Sequence, residues 1–366
     1  MSTFAGIERP HKPDWEGFVA NILRKGTPDR VFHIELFHDG EIRDAILERF
    51  SLVDDLDPAD PWIAEKKYIA LQRFCGFDYV NCGLVDMHFP VNSTAATDTA
   101  EGSFAREGGR SYTDEHKGPI TNWKEFEQYP WPDPTKSDAT RQLEWFQENL
   151  PDDMCIIGGL TGHFAEFLAW LMGYETLCFA LYDDRDLVQA MADKILAFHK
   201  VELARILEYD RVKMAWGSDD MGFRSGTLIS PDDTREFVLS GHKVLAKMSH
   251  DANCPYILHS CGKLDEIMDD LIDDVKIDGK HSYEDTIEDV RELKATWGQR
   301  MALLGGLDLD FLIRADEKAV RERVRSVLDV CQEGGGYCLG TGNSVANYIN
   351  LDSYLAMVDE GMRYSW

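Results

Sequence analysis

Short apolar or β-branched runs recur along the chain, with amphipathic stretches between them. They lie at 31–36, 79–84, 154–159, 212–216, 255–258, 275–279, 301–307 and 337–341. Several are apolar at nearly consecutive positions, the pattern of parallel strands buried on both faces. Between them, Leu264, Ile267, Met268, Leu271, Ile272 and Val275 recur at three- and four-residue steps, separated by Asp265, Glu266, Asp269 and Asp270. That spacing predicts a helix with one buried stripe. Ser230-Pro231-Asp232-Asp233 combines an N-cap serine, proline at the first helical position and first-turn acids, and predicts a helix running to about Ser249. Residues 175–207, 287–297, 317–331 and 351–362 also read as helices. Eight strands alternating with helices, without a linker, predict a single (β/α)8 barrel domain, a TIM barrel, over residues 1–366. A doubly wound open sheet is the alternative, but 33–38 is not a glycine-rich dinucleotide turn. Residues 88–134 break the alternation and are rich in Ser, Thr, Gly and Pro. They read as a long irregular insertion after strand two, acting as a lid or as an oligomer contact in a homodimer.

Composition narrows the function. The 366 residues are 44% hydrophobic, ample for one large core, and carry a formal net charge of -28. A surface this acidic repels phosphate backbones and anionic membranes, so neither nucleic acid nor a membrane is an expected partner. Residues 1–15 hold no apolar leader and no stretch reaches the length of a membrane span, so a cytoplasmic protein is expected. The eight cysteines form no C-x-x-C pair and read mostly as buried thiols.

In a barrel, chemistry sits at the C-terminal strand ends. Those ends offer Glu35, His38 and Asp39; Cys82, Asp86 and His88; Thr161 and His163; and Ser218, Asp219 and Asp220. The later strands add His259, Ser260 and Cys261; Lys280 and His281; Asp308; and Thr341, Asn343 and Ser344. His259 and Cys261 are the sharpest pair. Residues i and i+2 on an extended segment point to one side, so this imidazole and thiol can share a zinc ion. The alternative is a hydrogen-bonded histidine beside a passive thiol. Glu35 fits a metal ligand, a base, or an acid at a helix N-terminus. Of the adjacent acids Asp219 and Asp220, at most one faces inward. His199, His242 and His250 fall on long helices and read as structural.

These motifs resemble the uroporphyrinogen decarboxylase superfamily, which includes cobalamin-dependent methyltransferases. The resemblance runs from about Arg30 to Tyr364 and rests on Ile257-Leu258-His259-Ser260-Cys261-Gly262 and on Ala302-Leu303-Leu304-Gly305-Gly306-Leu307-Asp308. Gly340-Thr341-Gly342-Asn343-Ser344 and the stretch from Asn350 to Val358 complete it. It implies a (β/α)8 barrel, in agreement with the strand count. The superfamily's decarboxylases hold substrate carboxylates with two arginines after strand one. Here Glu35-Leu36-Phe37-His38-Asp39 places an acid at both positions, which repels a polyanionic porphyrinogen. The decarboxylase aspartate near the end of strand two is replaced in Asn81-Cys82-Gly83, and its tyrosine after strand three by Phe167 or Trp170.

The methyltransferase branch holds zinc through His-x-Cys and a later cysteine. His259 and Cys261 match the first two, and the third position falls on Asn343. Cys338, five residues earlier, faces the other way by alternation. Glu35, Asp220 or His281 is then left to complete the set. The corrinoid-binding signature Asp-x-His-x-x-Gly is not matched, since Asp86-Met87-His88 lacks the glycine, so the resemblance implies a corrinoid carried by a partner protein. The expected metal ligands are His259, Cys261 and Glu35. Asp220 and His281 are the expected catalytic residues, and His38, His163 and Asn343 the expected substrate contacts. The expected function is zinc-dependent methyl transfer between a small molecule or thiol and that corrinoid. The alternatives are a decarboxylase-like lyase acting on a carboxylated small molecule and a non-catalytic barrel that binds a ligand or a corrinoid protein.

Overall fold

A computed structural model describes residues 4–9 and 11–364. Its main sheet has seven strands: β1 (Tyr79–Cys82), β2 (Cys155–Thr161), β3 (Val212–Ser218), β4 (Tyr256–His259), β5 (Gly279–His281), β6 (Ala302–Leu304) and β7 (Tyr337–Cys338). They lie side by side in chain order, each parallel to the next. A doubly wound sheet reverses its order at a switch point, so this unbroken order rules out the open-sheet alternative. The fold is TIM-barrel-like.

The first expected strand, 31–36, does not join this ladder. It meets the far edge through a bridge from His33 to Leu339 and two backbone bonds, Ile34 N to Leu339 O (2.9 Å) and Leu339 N to Phe32 O (2.8 Å). Toward β1 the rungs are side chains. The Tyr79 hydroxyl accepts from Glu35 N (2.9 Å) and donates to Glu35 O (3.1 Å), and Asn81 Nδ2 donates to Leu36 O (3.3 Å). The observed sheet is therefore seven-stranded, with an eighth extended segment between its edges.

The sixth expected strand, 275–279, is displaced to Gly279–His281. Asp270–Val275 is a π-helical turn, and Lys276 leaves it at φ 68°, in the left-handed region. Apolar Val275 and Ile277 are thus buried at a helix end rather than in a strand. The predicted helix 175–207 breaks at Asp184, which accepts from Leu187 N and caps a second helix. Five helices matter below: α1 (Phe164–Met172), α2 (Arg185–Ile206), α3 (Ser240–Asp251), α4 (Glu317–Cys331) and α5 (Leu351–Arg363). Ser230 accepts from Asp233 N with Pro231 following it, as the sequence predicts, and the helical path continues through α3.

Within 88–134, Ser93–Ala96 pairs antiparallel with Arg110–Thr113. Arg110 joins this hairpin to the strand-end region through Asp39 (2.9 Å) and braces it internally through Asp98 (2.7 Å), and Arg106 meets Glu41 (2.8 Å). Phe89 packs against Phe167 of α1 in a tilted contact and edge-on against Phe198 of α2. None of the eight cysteines is paired, and six are buried. No single described helix is long and apolar enough to cross a membrane; α1 and Tyr174–Asp183 reach that length and apolarity only together, and they are bent by 98° to one another.

Candidate metal centre

The ends of β4 and β5 lie in register, with His259 opposite His281. This pairing fixes which ring nitrogen carries each proton. His281 Nε2 lies 3.1 Å from the Thr341 carbonyl oxygen, which can only accept, so Nε2 bears a hydrogen. Burial, then the neighbouring His259, hold the His281 imidazole well below its ordinary pKa and therefore neutral. Its Nδ1 is then a lone pair. His259 Nδ1, 2.7 Å away, must donate to it. The proton assignment follows from the hydrogen-bond network. It leaves His259 Nε2, which faces Cys261 Sγ at 3.5 Å and Asp220 Oδ1 at 3.3 Å, as the nitrogen that can take a metal in place of a proton.

Donor atoms of Asp220, His259 and Cys261 all lie within 4.8 Å of one another. Two ligands on one tetrahedral zinc sit about 3.4–3.6 Å apart, given bonds of roughly 2.1–2.3 Å. Both distances from His259 Nε2 fall near that range. Nitrogen, sulfur and carboxylate oxygen form a zinc donor set, and three protein ligands leave a fourth position open, as in catalytic sites. The residues present therefore fit a zinc ion.

The surroundings supply the charge pattern. Burial opposes ionisation of Asp220, but the His259 hydrogen bond and charge, with the Cys261 N–H (2.9 Å), outweigh it and hold the carboxyl below the usual range. Burial, then the Asp220 charge, push the Cys261 thiol well up. Asn343 counters this from the other side: its Nδ2 donates to Cys261 Sγ (3.2 Å), while Ser344 N holds its Oδ1 (2.7 Å) and so fixes the amide orientation. An N–H aimed at sulfur makes Asn343 a donor to a thiolate, not a replacement ligand.

Asp219 turns away from the centre. Its carboxylate caps the N-terminus of α1 through Ala165 N (2.9 Å) and Glu166 N (3.0 Å) and meets His242 Nε2 (2.9 Å). His242, read from sequence as a helix residue only, is thus a support for the turn that aims Asp220.

Three expected site residues are not brought to the centre. Glu35 is buried against Thr341, whose backbone N–H donates to Oε1 (3.0 Å) and whose hydroxyl meets Oε2. The same hydroxyl contacts the Asn343 carbonyl oxygen. That carbonyl only accepts, so it takes the single hydroxyl hydrogen, and Glu35 must supply the proton between itself and Thr341. Glu35 is then a neutral acid, consistent with burial raising its pKa to about 8 against the partial opposition of Thr341. This corrects its reading as a metal ligand. His38 was expected to contact substrate, but its ring packs on Phe77 and bonds the Tyr354 hydroxyl of α5 (2.6 Å). Burial lowers its pKa to about 3. His163 is half-buried at the head of α1 and bonds Glu166 Oε2 (2.7 Å) and Leu160 O (3.1 Å). Burial disfavours its charge, but Glu166 outweighs it and raises the pKa to about 9.

A cavity of about 380 Å³ adjoins the centre at Asn343; Glu284, Asp308, Asp310, Ser344 and Tyr348 also line it. A larger one, about 610 Å³, lies toward the hairpin segment at Thr99, Phe104 and Asn347 and shares Tyr348 with the first. Neither is lined by Asp220, His259 or Cys261; the smaller reaches Asn343, whose amide touches Cys261 Sγ, and is the better placed of the two for a substrate. Sequence reading missed Glu284 and Tyr348. Glu284 follows His281 by three positions, and that proximity was its one sequence signal.

The uroporphyrinogen decarboxylase (URO-D) family model matches residues 113–364. Among curated relatives, methylcobamide:CoM methyltransferase MtaA of Methanosarcina barkeri is 26% identical over 216 residues, covering 58% of this chain and 59% of that protein. A methylated-thiol–coenzyme M methyltransferase of Methanosarcina mazei is 28% identical over 171 residues, 45% of this chain and 44% of its own. The chain thus spans less than two thirds of the length of these relatives. Among solved structures, a methyltransferase from Methanosarcina mazei superposes with a TM-score of 0.67 at 19% identity, covering 94% of this chain and 97% of that one. At that identity the likeness speaks for the fold. The family match extends over more than half of the chain and includes every residue of the centre: the chain belongs to the uroporphyrinogen decarboxylase (URO-D) family.

Proposed function

We propose that this chain is a zinc-dependent methyltransferase that moves a methyl group between a small molecule or thiol and a corrinoid carried by a partner protein. The observation that carries the reading is the His259 Nε2 atom held between Cys261 Sγ and Asp220. The two methyltransferase relatives, one named for methylcobamide and one for methylated thiols, support the reaction class. Acids stand at Glu35 and Asp39 where the family's decarboxylases carry arginines, which counts against a porphyrinogen substrate.

Zinc, when bound, supplies a positive centre that keeps a thiol ionised or polarises the heteroatom of a methyl donor. The chain's own residues prepare the site for it. His281, anchored on Thr341 O, fixes the His259 tautomer with Nε2 free. Asp220 brings a negative charge that holds His259 in place and receives the Cys261 N–H. Asn343 donates to the Cys261 sulfur and favours its ionised form. The 380 Å³ cavity at Asn343 is the space nearest to Cys261 along that amide in which a small substrate would lie.

Metal analysis tests this reading. Purified protein should carry about one zinc per chain, lost in His259→Ala and Cys261→Ser. Loss of methylcobalamin absorbance in the presence of a thiol should depend on that zinc. Metal-free protein, after purification without chelators, overturns it.

A further inference from the structure

Lys280 is a buried basic group beside the centre that the chemistry described so far does not use. It is 1% exposed and sits on β5 between Gly279 and His281. His281 faces His259, so by alternation the Lys280 side chain leaves the strand on the opposite side. Its Nζ donates to the Ser282 carbonyl oxygen (2.8 Å) and lies 4.5 Å from the centroid of the Tyr283 ring. No carboxylate pairs with it directly among the described residues. Burial lowers its pKa, and the charges of Glu288, Cys261, Asp220 and Glu284 oppose that shift. A buried amine with so few partners is unfavourable, and an apolar side chain of similar length would be less so. The hydrogen bond that it makes there fixes the place of Ser282.

Ser282 is itself buried. Its N–H donates to Ser260 O (3.4 Å), and Ser260 N donates to His281 O (2.6 Å). These bonds tie the end of β5 to the segment that carries His259 and Cys261. The Ser282 hydroxyl lies 3.8 Å from Cys261 Sγ, its one side-chain contact of this kind among the described residues. A thiol can give or take that hydrogen bond. A sulfur that ligates a metal as thiolate can only accept, so the hydroxyl is then the donor. Cys261 would have Asn343 Nδ2 at 3.2 Å and Ser282 Oγ turned to it together. We infer that Lys280 is a positioning residue: through the Ser282 carbonyl it holds the Ser282 hydroxyl on the Cys261 sulfur as a second donor. Hydrogen bonds to a ligating sulfur withdraw electron density from it and leave a bound metal more electrophilic. This inference rests on the proposed centre taking a metal.

Cobalt(II) loaded into the full-length protein in place of zinc tests it, because its sulfur-to-metal charge-transfer band reports on the ligating sulfur. Ser282→Ala and Lys280→Met should each move that band to longer wavelength. Each should also weaken metal binding about tenfold in competition with a chromophoric chelator. The double variant should go no further than the larger single effect, because both changes break the same chain of contacts. A lysine that only supports the fold would change stability in urea and leave the band where it was. A band unmoved in Ser282→Ala or in Lys280→Met therefore overturns the inference. So does a double variant in which the two shifts add, since Lys280 would then act by its charge and not through Ser282. Lys280→Gln, a second neutral replacement, decides the case if Lys280→Met does not fold. Failure of the unaltered protein to bind cobalt or zinc removes the underlying reading instead.

Discussion

The protonated state of Glu35 has a measurable consequence for stability. An unfolded glutamate ionises near 4.5, whereas the buried carboxyl keeps its proton to about 8. Between those values the folded chain binds one proton more than the unfolded chain, so this residue's contribution to stability falls as pH rises. The contribution is fully present below about 4.5 and lost by about 8. At about 1.4 kcal/mol per pH unit, the interval corresponds to roughly 5 kcal/mol, a large part of the ~5–15 kcal/mol typical of a folded domain. Glu35→Gln removes the titration and keeps the neutral hydrogen-bond pattern. The amide oxygen accepts from Thr341 N, and the amide nitrogen donates to Thr341 Oγ1. The variant and parent should therefore match most closely in urea unfolding near pH 4, with a gap of only about 1 kcal/mol by pH 5. Their difference should grow through pH 6–8 in favour of the variant and level off above it, and other titrating groups cancel in the subtraction. Zinc content should be the same in both proteins. A variant that is less stable by a constant amount at every pH, and that also loses zinc, would refute the reasoning and return Glu35 to the metal centre as an ionised ligand.

Three further outcomes follow from the same geometry. His281→Phe leaves the His259 Nδ1–H without an acceptor and should weaken zinc binding by about 10–100-fold in competition with a chromophoric chelator; His281→Gln, which restores an acceptor, should recover most of it. In metal-free protein the Cys261 thiol, pushed up by burial and then by Asp220, should be alkylated slowly by iodoacetamide near neutral pH, and Asp220→Asn should speed the reaction. Arg110→Ala removes the bonds to Asp39 and Asp98 that hold the 88–134 hairpin, and should raise its rate of limited proteolysis roughly tenfold without changing zinc content.

The sequence carried the parts of this fold that depend on local pattern. Seven of the eight apolar runs became neighbouring strands, because each is a short buried stretch whose pairing follows chain order. The exceptions have local causes that composition hides. Residues 31–36 look like a strand, but the Tyr79 hydroxyl occupies the place of a backbone rung. Val275 and Ile277 look like a strand start, yet the π-helical turn ending at Lys276 delays it to Gly279. The centre was legible in the same uneven way. Alternation on one segment placed His259 and Cys261 on one side. The partnership of His259 with His281 required the register between β4 and β5, which no local pattern encodes. Only one of Asp219 and Asp220 could face inward, but the choice depends on α1 and His242, distant in sequence, which claim Asp219. Glu35 stood at a strand end with the right chemistry for a ligand. Its neutral state comes from burial, and the partners that hold it away from the centre, Thr341 and through it Asn343, lie some three hundred positions away.

Zinc K-edge X-ray absorption of the purified chain bears most directly on the proposed centre. The account predicts one zinc with a single sulfur neighbour at about 2.3 Å and nitrogen or oxygen neighbours at about 2.0–2.1 Å, the sulfur signal vanishing in Cys261→Ser. Two or more sulfur neighbours would mean that a second cysteine has moved in, and no bound zinc would mean that His259, Cys261 and Asp220 do not form a metal centre; either result contradicts it.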